Sequence, residues 1–235
     1  MKAPILLAAF IIQHSSFGIA AAAEAAAAQE GVQLWECGPR LADRNVGADE
    51  PWEPGLHFWW GDTIGYKREN DAWAAVDGSN PRFGFDDSHA PAFGKDAEVL
   101  RNEGFITADG VLAPDHDPAR VHWGEPWRMP TKRELDDLCS DKCDWTWTTN
   151  GVKGCVVRGR GDYASAAIFI PAAGYSVEEK WWGKGTTGHL YASEPYTEGP
   201  NADCTWRLHF GAKGVGMDYC WDRHMAMPVR PVRDD

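Results

Sequence analysis

The sequence predicts an α+β domain with few helices, short strands and long loops. Three observations lead there. Trp145-Thr-Trp-Thr-Thr149 and residues 152–157 are rich in β-branched and aromatic side chains and flank Asn150-Gly151. That dipeptide tolerates the positive φ angles of a two-residue type I′ turn, so the segment reads as a hairpin. Thr131 and Glu134 stand in S/T-x-x-E spacing. The threonine hydroxyl can take the Glu134 amide while the carboxylate takes the Thr131 amide, so a helix opens at Lys132. It runs to about Ser140 with Leu135, Leu138 and Cys139 on one face. The remaining apolar runs are short, broken by turn residues, and follow no fixed repeat, which favours one α+β domain.

Along the chain, residues 32–36 form a first apolar run and Leu56-His-Phe-Trp-Trp60 a second, closed by Gly61-Asp62. From Tyr66 to about Lys95, Asn-Pro and Asp-Gly steps predict long loops, with short helical pieces near 71–75 and 96–102. Phe105-Ile-Thr107 and Val111-Leu112 bracket Ala108-Asp-Gly110 as a small hairpin. Ala166-Ile-Phe-Ile170 is a strand stopped by Pro171, and residues 191–193, 206–210, 215–220 and 227–232 supply the other strand candidates.

The chain has 235 residues, is 43% apolar and 12% aromatic, and so can build a large core. Its formal charge of −12 disfavours nucleic acid as a partner, because phosphate attraction needs dense Lys and Arg. Thirteen Trp are a heavy load, and those reaching solvent suit recognition. At the N-terminus, Lys2, the apolar run 3–12 and A-x-A-like steps within 20–28 predict an export signal over residues 1–25, with 26–31 as its remnant. The run is about 10 residues, too short for a bilayer span, so no membrane insertion of the mature chain is expected. The expected location is periplasmic, cell-surface or extracellular.

Export makes disulfides the first expectation for the six Cys. Residues 204–210 and 214–220 flank Gly211-Ala-Lys213, a hairpin turn. If Phe210 faces Gly214, Cys204 lies opposite Cys220, close enough to bridge. Cys37, Cys139, Cys143 and Cys155 stay unassigned, with a four-Cys zinc site as an alternative.

Seven motifs follow one another in order: Leu41-Ala-Asp-Arg-Asn-Val-Gly47, Phe58-Trp-Trp-Gly-Asp62, Asp117-Pro-Ala-Arg-Val-His-Trp-Gly124, Trp127-Arg-Met-Pro-Thr131, Trp145-Thr-Trp-Thr-Thr-Asn-Gly151, Ile168-Phe-Ile-Pro-Ala-Ala-Gly-Tyr175 and Val229-Arg-Pro-Val232. Over residues 32–233 the chain thereby resembles the Fibrobacter succinogenes major paralogous domain of exported proteins in gut Bacteroidetes. That family is similar to the C-type-lectin-like fold shared with formylglycine-generating enzymes. The resemblance implies a small mixed, twisted sheet with flanking helices, and a loop-rich face that binds sugars or proteins. This sequence departs at Leu190-Tyr-Ala-Ser193, where the family has Tyr-Trp-Ser-Ser, and in carrying Cys204 and Cys220.

The candidate ligand-binding residues are Trp181 and Trp182, beside a glycine-rich loop, with Tyr196, Tyr219, Trp221 and Arg223 as companions. Packing of both rings beneath the loop is the structural alternative. If residues 181–182 are extended, the two rings point to opposite faces. Gly183-x-Gly185-x-x-Gly188 matches a dinucleotide fingerprint in letters only, since His189-Leu-Tyr-Ala looks extended rather than helical. Asp115-His-Asp117, with Asp86, Asp87 and His89, offers calcium or zinc ligands but fits no full EF-hand loop and reads as a solvated acidic stretch, Asp117 capping the turn that follows. Glu194-Pro195-Tyr196 and Gly199-Pro-Asn201 only echo the calcium loop of sugar-binding lectins. The formylglycine-generating relatives hold copper between two C-terminal Cys, whereas Cys220 here has Cys204 as its mate, and a bridged thiol is no thiolate ligand. The expectation is a non-catalytic recognition module with no metal or cofactor, binding a glycan or protein. The alternatives are a structural module of a surface assembly, or a metal-dependent oxidase.

Overall fold

The computed structural model describes residues 30–79, 90–149, 151–197, 204–218 and 223–234. Its described residues are mostly β sheet with three short α-helices. Each helix starts on a side-chain cap. The first, α1 (Ala97–Asn102), begins at Asp96, whose carboxylate takes the Val99 amide. The second, α2 (Pro118–Trp123), has Asp117 as cap: one carboxylate oxygen takes the Ala119 and Arg120 amides, and the other reaches across to the Met129 amide. Proline fits the first helical position, where its missing N–H loses nothing. The third, α3 (Lys132–Cys139), carries both bonds of the capping box, at 3.2 and 2.7 Å. Arg128 then grips the Glu134 carboxylate with two hydrogen bonds and also reaches Asp234.

The strands make five small sheets. β1 (Val32–Gln33), β2 (Arg40–Leu41) and β15 (Val232–Arg233) form one. β3 (His57–Phe58), β4 (Tyr66–Glu69), β5 (Ala72–Ala75) and β14 (Met227–Pro228) form another, in the order β14-β3-β4-β5. β6 (Cys143–Thr148), β7 (Gly154–Gly159) and β8 (Ala167–Pro171) make a meander. β9 (Tyr175–Val177) and β10 (Lys180–Trp182) form a hairpin. β11 (Thr187–Pro195), β12 (Thr205–Gly211) and β13 (Gly214–Asp218) make a second meander.

Four expectations need correction. The sheet is not mixed: every strand pairing among the described residues is antiparallel, as short turns between neighbours dictate. Residues 72–75 are strand rather than helix. Asn70 and Asp71 both take positive φ, 48° and 62°, so the chain turns tightly there and Glu69 pairs Ala72. The β6–β7 connection is longer than Asn150-Gly151, since Thr148 pairs Gly154. Moving the register by one residue would turn Cys155 and Val157 out of the core. The β12–β13 turn is likewise displaced: Gly211 pairs Gly214 and Phe210 pairs Val215. The register that set Cys204 opposite Cys220 is therefore one residue off. Cys220 itself lies outside the described residues.

Two main apolar clusters share the interior. One gathers Phe58, Trp60, Trp127, Met129 and Tyr191. The other lies between α3 and the two meanders and includes Leu135, Leu138, Val157, Leu208 and Phe210. The closing Pro228-Val-Arg-Pro-Val-Arg233 supplies the staple. Arg230 is buried, donating from Nε to Asn45 Oδ1 (2.8 Å) and from its two Nη atoms to the Ala42 and Phe169 carbonyls. Burial pulls its pKa down to about 9, which leaves it charged at neutral pH.

Candidate binding groove

The β9–β10 hairpin decides how the adjacent tryptophans are used. Trp181 pairs with Ser176 and Trp182 with Tyr175, so the two rings face opposite sides. Trp181 turns inward. Its indole N–H donates to the Ala173 carbonyl at 2.6 Å, and its ring meets the edges of His57 and Trp73 at 5.2 and 5.3 Å. Trp182 turns outward and is 49% exposed. Among the described tryptophans only Trp52 is comparably open. Sequence offered both as contact residues while expecting opposite faces for an extended pair; the structure makes Trp181 the footing and Trp182 the presented ring.

Between this hairpin and the β4–β5 turn lies an open groove of about 740 Å³. Arg68, Asn70 and Asp71 form one wall, and Trp182, Lys180 and Lys184 stand opposite. Arg68 fastens the walls together, donating to the Glu179 carbonyl at 2.7 Å and to the Asp71 carbonyl at 2.8 Å. Three non-glycine residues on the two turns, Asn70, Asp71 and Glu178, sit at positive φ. For Asn70 and Asp71 this is the backbone a two-residue hairpin turn requires. Gly174, at φ 67°, lets the hairpin close, because a Cβ there would stand 2.0 Å from the Trp182 carbonyl oxygen.

Under the footing lies His57, with 1% of its surface exposed and neither ring nitrogen in a well-formed hydrogen bond. Burial drives its pKa down to about 3. A poorly aligned contact to the Ala173 carbonyl, which already accepts from Trp181, opposes the shift, and the nearby Lys184 adds to it. The imidazole is therefore neutral and serves as an aromatic wedge.

A second polar group occupies the face of the β11–β13 sheet opposite Leu190 and Leu208. Arg207 donates to His189 Nδ1 at 2.7 Å and to Asp218 Oδ2 at 3.0 Å. Because arginine only donates, His189 must be the neutral tautomer that gives its Nε2 proton to Thr187 Oγ1. Burial and the adjacent Arg207 hold His189 at about 3. Sequence reading missed this network. The signal was the alternation of Arg207 and His209 with Leu208 and Phe210 along one strand. It binds strand to strand and ends on the Thr187 hydroxyl.

Two of the other proposed contact residues, Tyr196 and Arg223, do not join the groove. Tyr196 stacks edge-on against Trp206 at 5.1 Å, beyond the far end of β11, and that strand spans roughly 26 Å. Arg223 is buried, donating to the carbonyls of Ala92, Lys95 and Cys204 and lying over Trp60, so it clamps the interior. Tyr219 and Trp221 lie outside the described residues. Glu194 is occupied by the Lys132 amide and the Ser193 hydroxyl.

Cys37, Cys139, Cys143 and Cys155 carry free thiols. Cys143 and Cys155 share the inner face of β6–β7 but sit four register steps apart, roughly 13 Å, too far to bridge. Burial raises Cys139 to about 12 and Cys143 and Cys155 to about 11, so these thiols stay protonated. Among the described residues no three His, Cys, Asp or Glu side chains gather as a metal would require. Nor is any helix there long and apolar enough to cross a membrane.

No family model matches the chain, and no curated protein or solved structure is significantly similar to it.

Proposed function

We propose that this protein is an exported, non-catalytic recognition module of the Fibrobacter succinogenes major paralogous domain type, with a C-type-lectin-like fold, and that it binds a glycan in the groove beside Trp182. The ordered motifs carry the family assignment. The small sheets with few short helices agree with that fold in outline, although the all-antiparallel pairing departs from a mixed sheet. One observation carries the function: the half-exposed Trp182 indole stands at the rim of an open groove, on a hairpin whose neighbouring Trp181 packs against His57. A flat ring with only two side-chain torsions loses little entropy on binding and offers a sugar its apolar face. Polar side chains on the facing wall can meet the hydroxyls.

A glycan array on the purified protein, repeated with Trp182→Ala, tests this. Binding that disappears in the variant, with unchanged thermal stability, is the expected result. Glycan binding that survives the substitution, or binding only to proteins, would remove the groove from consideration.

A further inference from the structure

Resting on that reading of the groove, we infer that its glycan is acidic, a polyuronate whose carboxylate is taken by Lys184 and Lys180 while the sugar ring lies on Trp182. The charge distribution supports this. The protein carries −12 overall, yet the groove is lined by three cations, Arg68, Lys180 and Lys184, against two carboxylates, Asp71 and Glu179. Lys184 places its ammonium 3.9 Å above the Trp181 ring, and among the described residues no carboxylate lies within ion-pair distance of it. Lys180 stands 5.9 Å from the Trp182 centroid, two-thirds exposed, with only a loose 3.8 Å contact to Glu178. Lys153 lies beside the same loop, its Cδ 3.8 Å from where a Cβ on Gly185 would stand.

In a protein with 35 acidic residues, Lys184, with no carboxylate in ion-pair range among the described residues, and Lys180, held only at 3.8 Å by Glu178, are available for a ligand that brings one. Their positions also narrow the ligand class. A cationic ligand would have to displace lysines already seated over both rings. A neutral sugar would leave the ammonium groups unused. A uronate gives the ring an apolar face and the lysines an anion. Asp71 and Glu179, the groove's own carboxylates, are placed to accept from sugar hydroxyls.

Calorimetric titration of the full protein tests the inference. The probes are oligogalacturonate and alginate oligosaccharides, each alongside its methyl ester, which keeps the ring and removes the charge. Expected results are at least about tenfold tighter binding of an acid than of its ester, from a charge-assisted contact. That preference should be lost in Lys180→Gln/Lys184→Gln, and higher salt should weaken the acid alone. Trp182→Ala should weaken acid and ester together. Equal binding of acid and ester, or a preference untouched by the lysine substitutions, overturns the acidic ligand and leaves the groove standing. Failure of every acid to bind while neutral glycans do has the same meaning. Binding of an acid that is indifferent to Trp182→Ala overturns both readings.

Discussion

Replacing His57 with phenylalanine should make the protein less sensitive to acid. His57 is buried against Trp73 and Trp181, and neither ring nitrogen makes a well-formed hydrogen bond. Its pKa falls from 6.5 in the unfolded chain to about 3 in the fold. Between those values the unfolded state binds the proton and the folded state does not. The histidine's share of stability is thus present above pH 6.5 and lost as pH falls toward 3. At about 1.4 kcal/mol per pH unit, the loss from pH 7 to pH 5 is about 2 kcal/mol. Phenylalanine keeps the ring and has no proton to take, and at pH 7 it should be neutral or mildly stabilising because two unsatisfied nitrogens disappear. Urea unfolding of both proteins at pH 7 and pH 5 gives four free energies. The wild-type fall should exceed that of His57→Phe by about 2 kcal/mol. His189, also held near 3, acts equally in both proteins and cancels. So do Asp62, Asp117 and Glu194, whose raised pKa values act in the opposite direction. Parallel pH profiles would refute the reasoning, as would a variant destabilised by more than about 2 kcal/mol at pH 7, the cost expected if a nitrogen were bonded.

Other substitutions should separate scaffold from groove. Arg230→Met leaves buried oxygens of Asn45, Ala42 and Phe169 without their donor and should cost about 3 kcal/mol or more in urea unfolding. Thr131→Ala removes half of the capping box and should cost about 1 kcal/mol, whereas Glu134→Ala, which also releases Arg128, should cost more. Gly174→Ala forces a Cβ against the Trp182 carbonyl and should reduce both glycan affinity and melting temperature, unlike Trp182→Ala, which should reduce affinity alone.

Legibility in the sequence followed the range of the forces involved. The start of α3 was readable because its cap is local, two bonds between residues three apart. The same holds for Asp96–Asn102 and for the cap at Asp117. Hairpins were found, but their registers slipped by one, because a turn motif proposes a register and core packing on the far face decides it. Asn70 and Asp71 hid a strand: five residues hold too little period to tell helix from strand, while a paired αL turn settles the matter. At the candidate site, adjacency correctly separated the two Trp faces. Arg223 has the composition of a binding residue, yet three carbonyls from distant segments claim it inside. The Arg207–His189–Asp218 network depends on pairing across three strands, which no single window of sequence contains.

The unequal exposure of the indoles has an optical consequence. Trp59, Trp60, Trp145 and Trp181 each give their ring N–H to a carbonyl of the fold, while among the described residues Trp52 and Trp182 stand in water. Native emission should therefore be dominated by shielded fluorophores and lie to the blue. Acrylamide should quench only a minor fraction of that light, and an occupant of the groove should shield part of this fraction from the quencher.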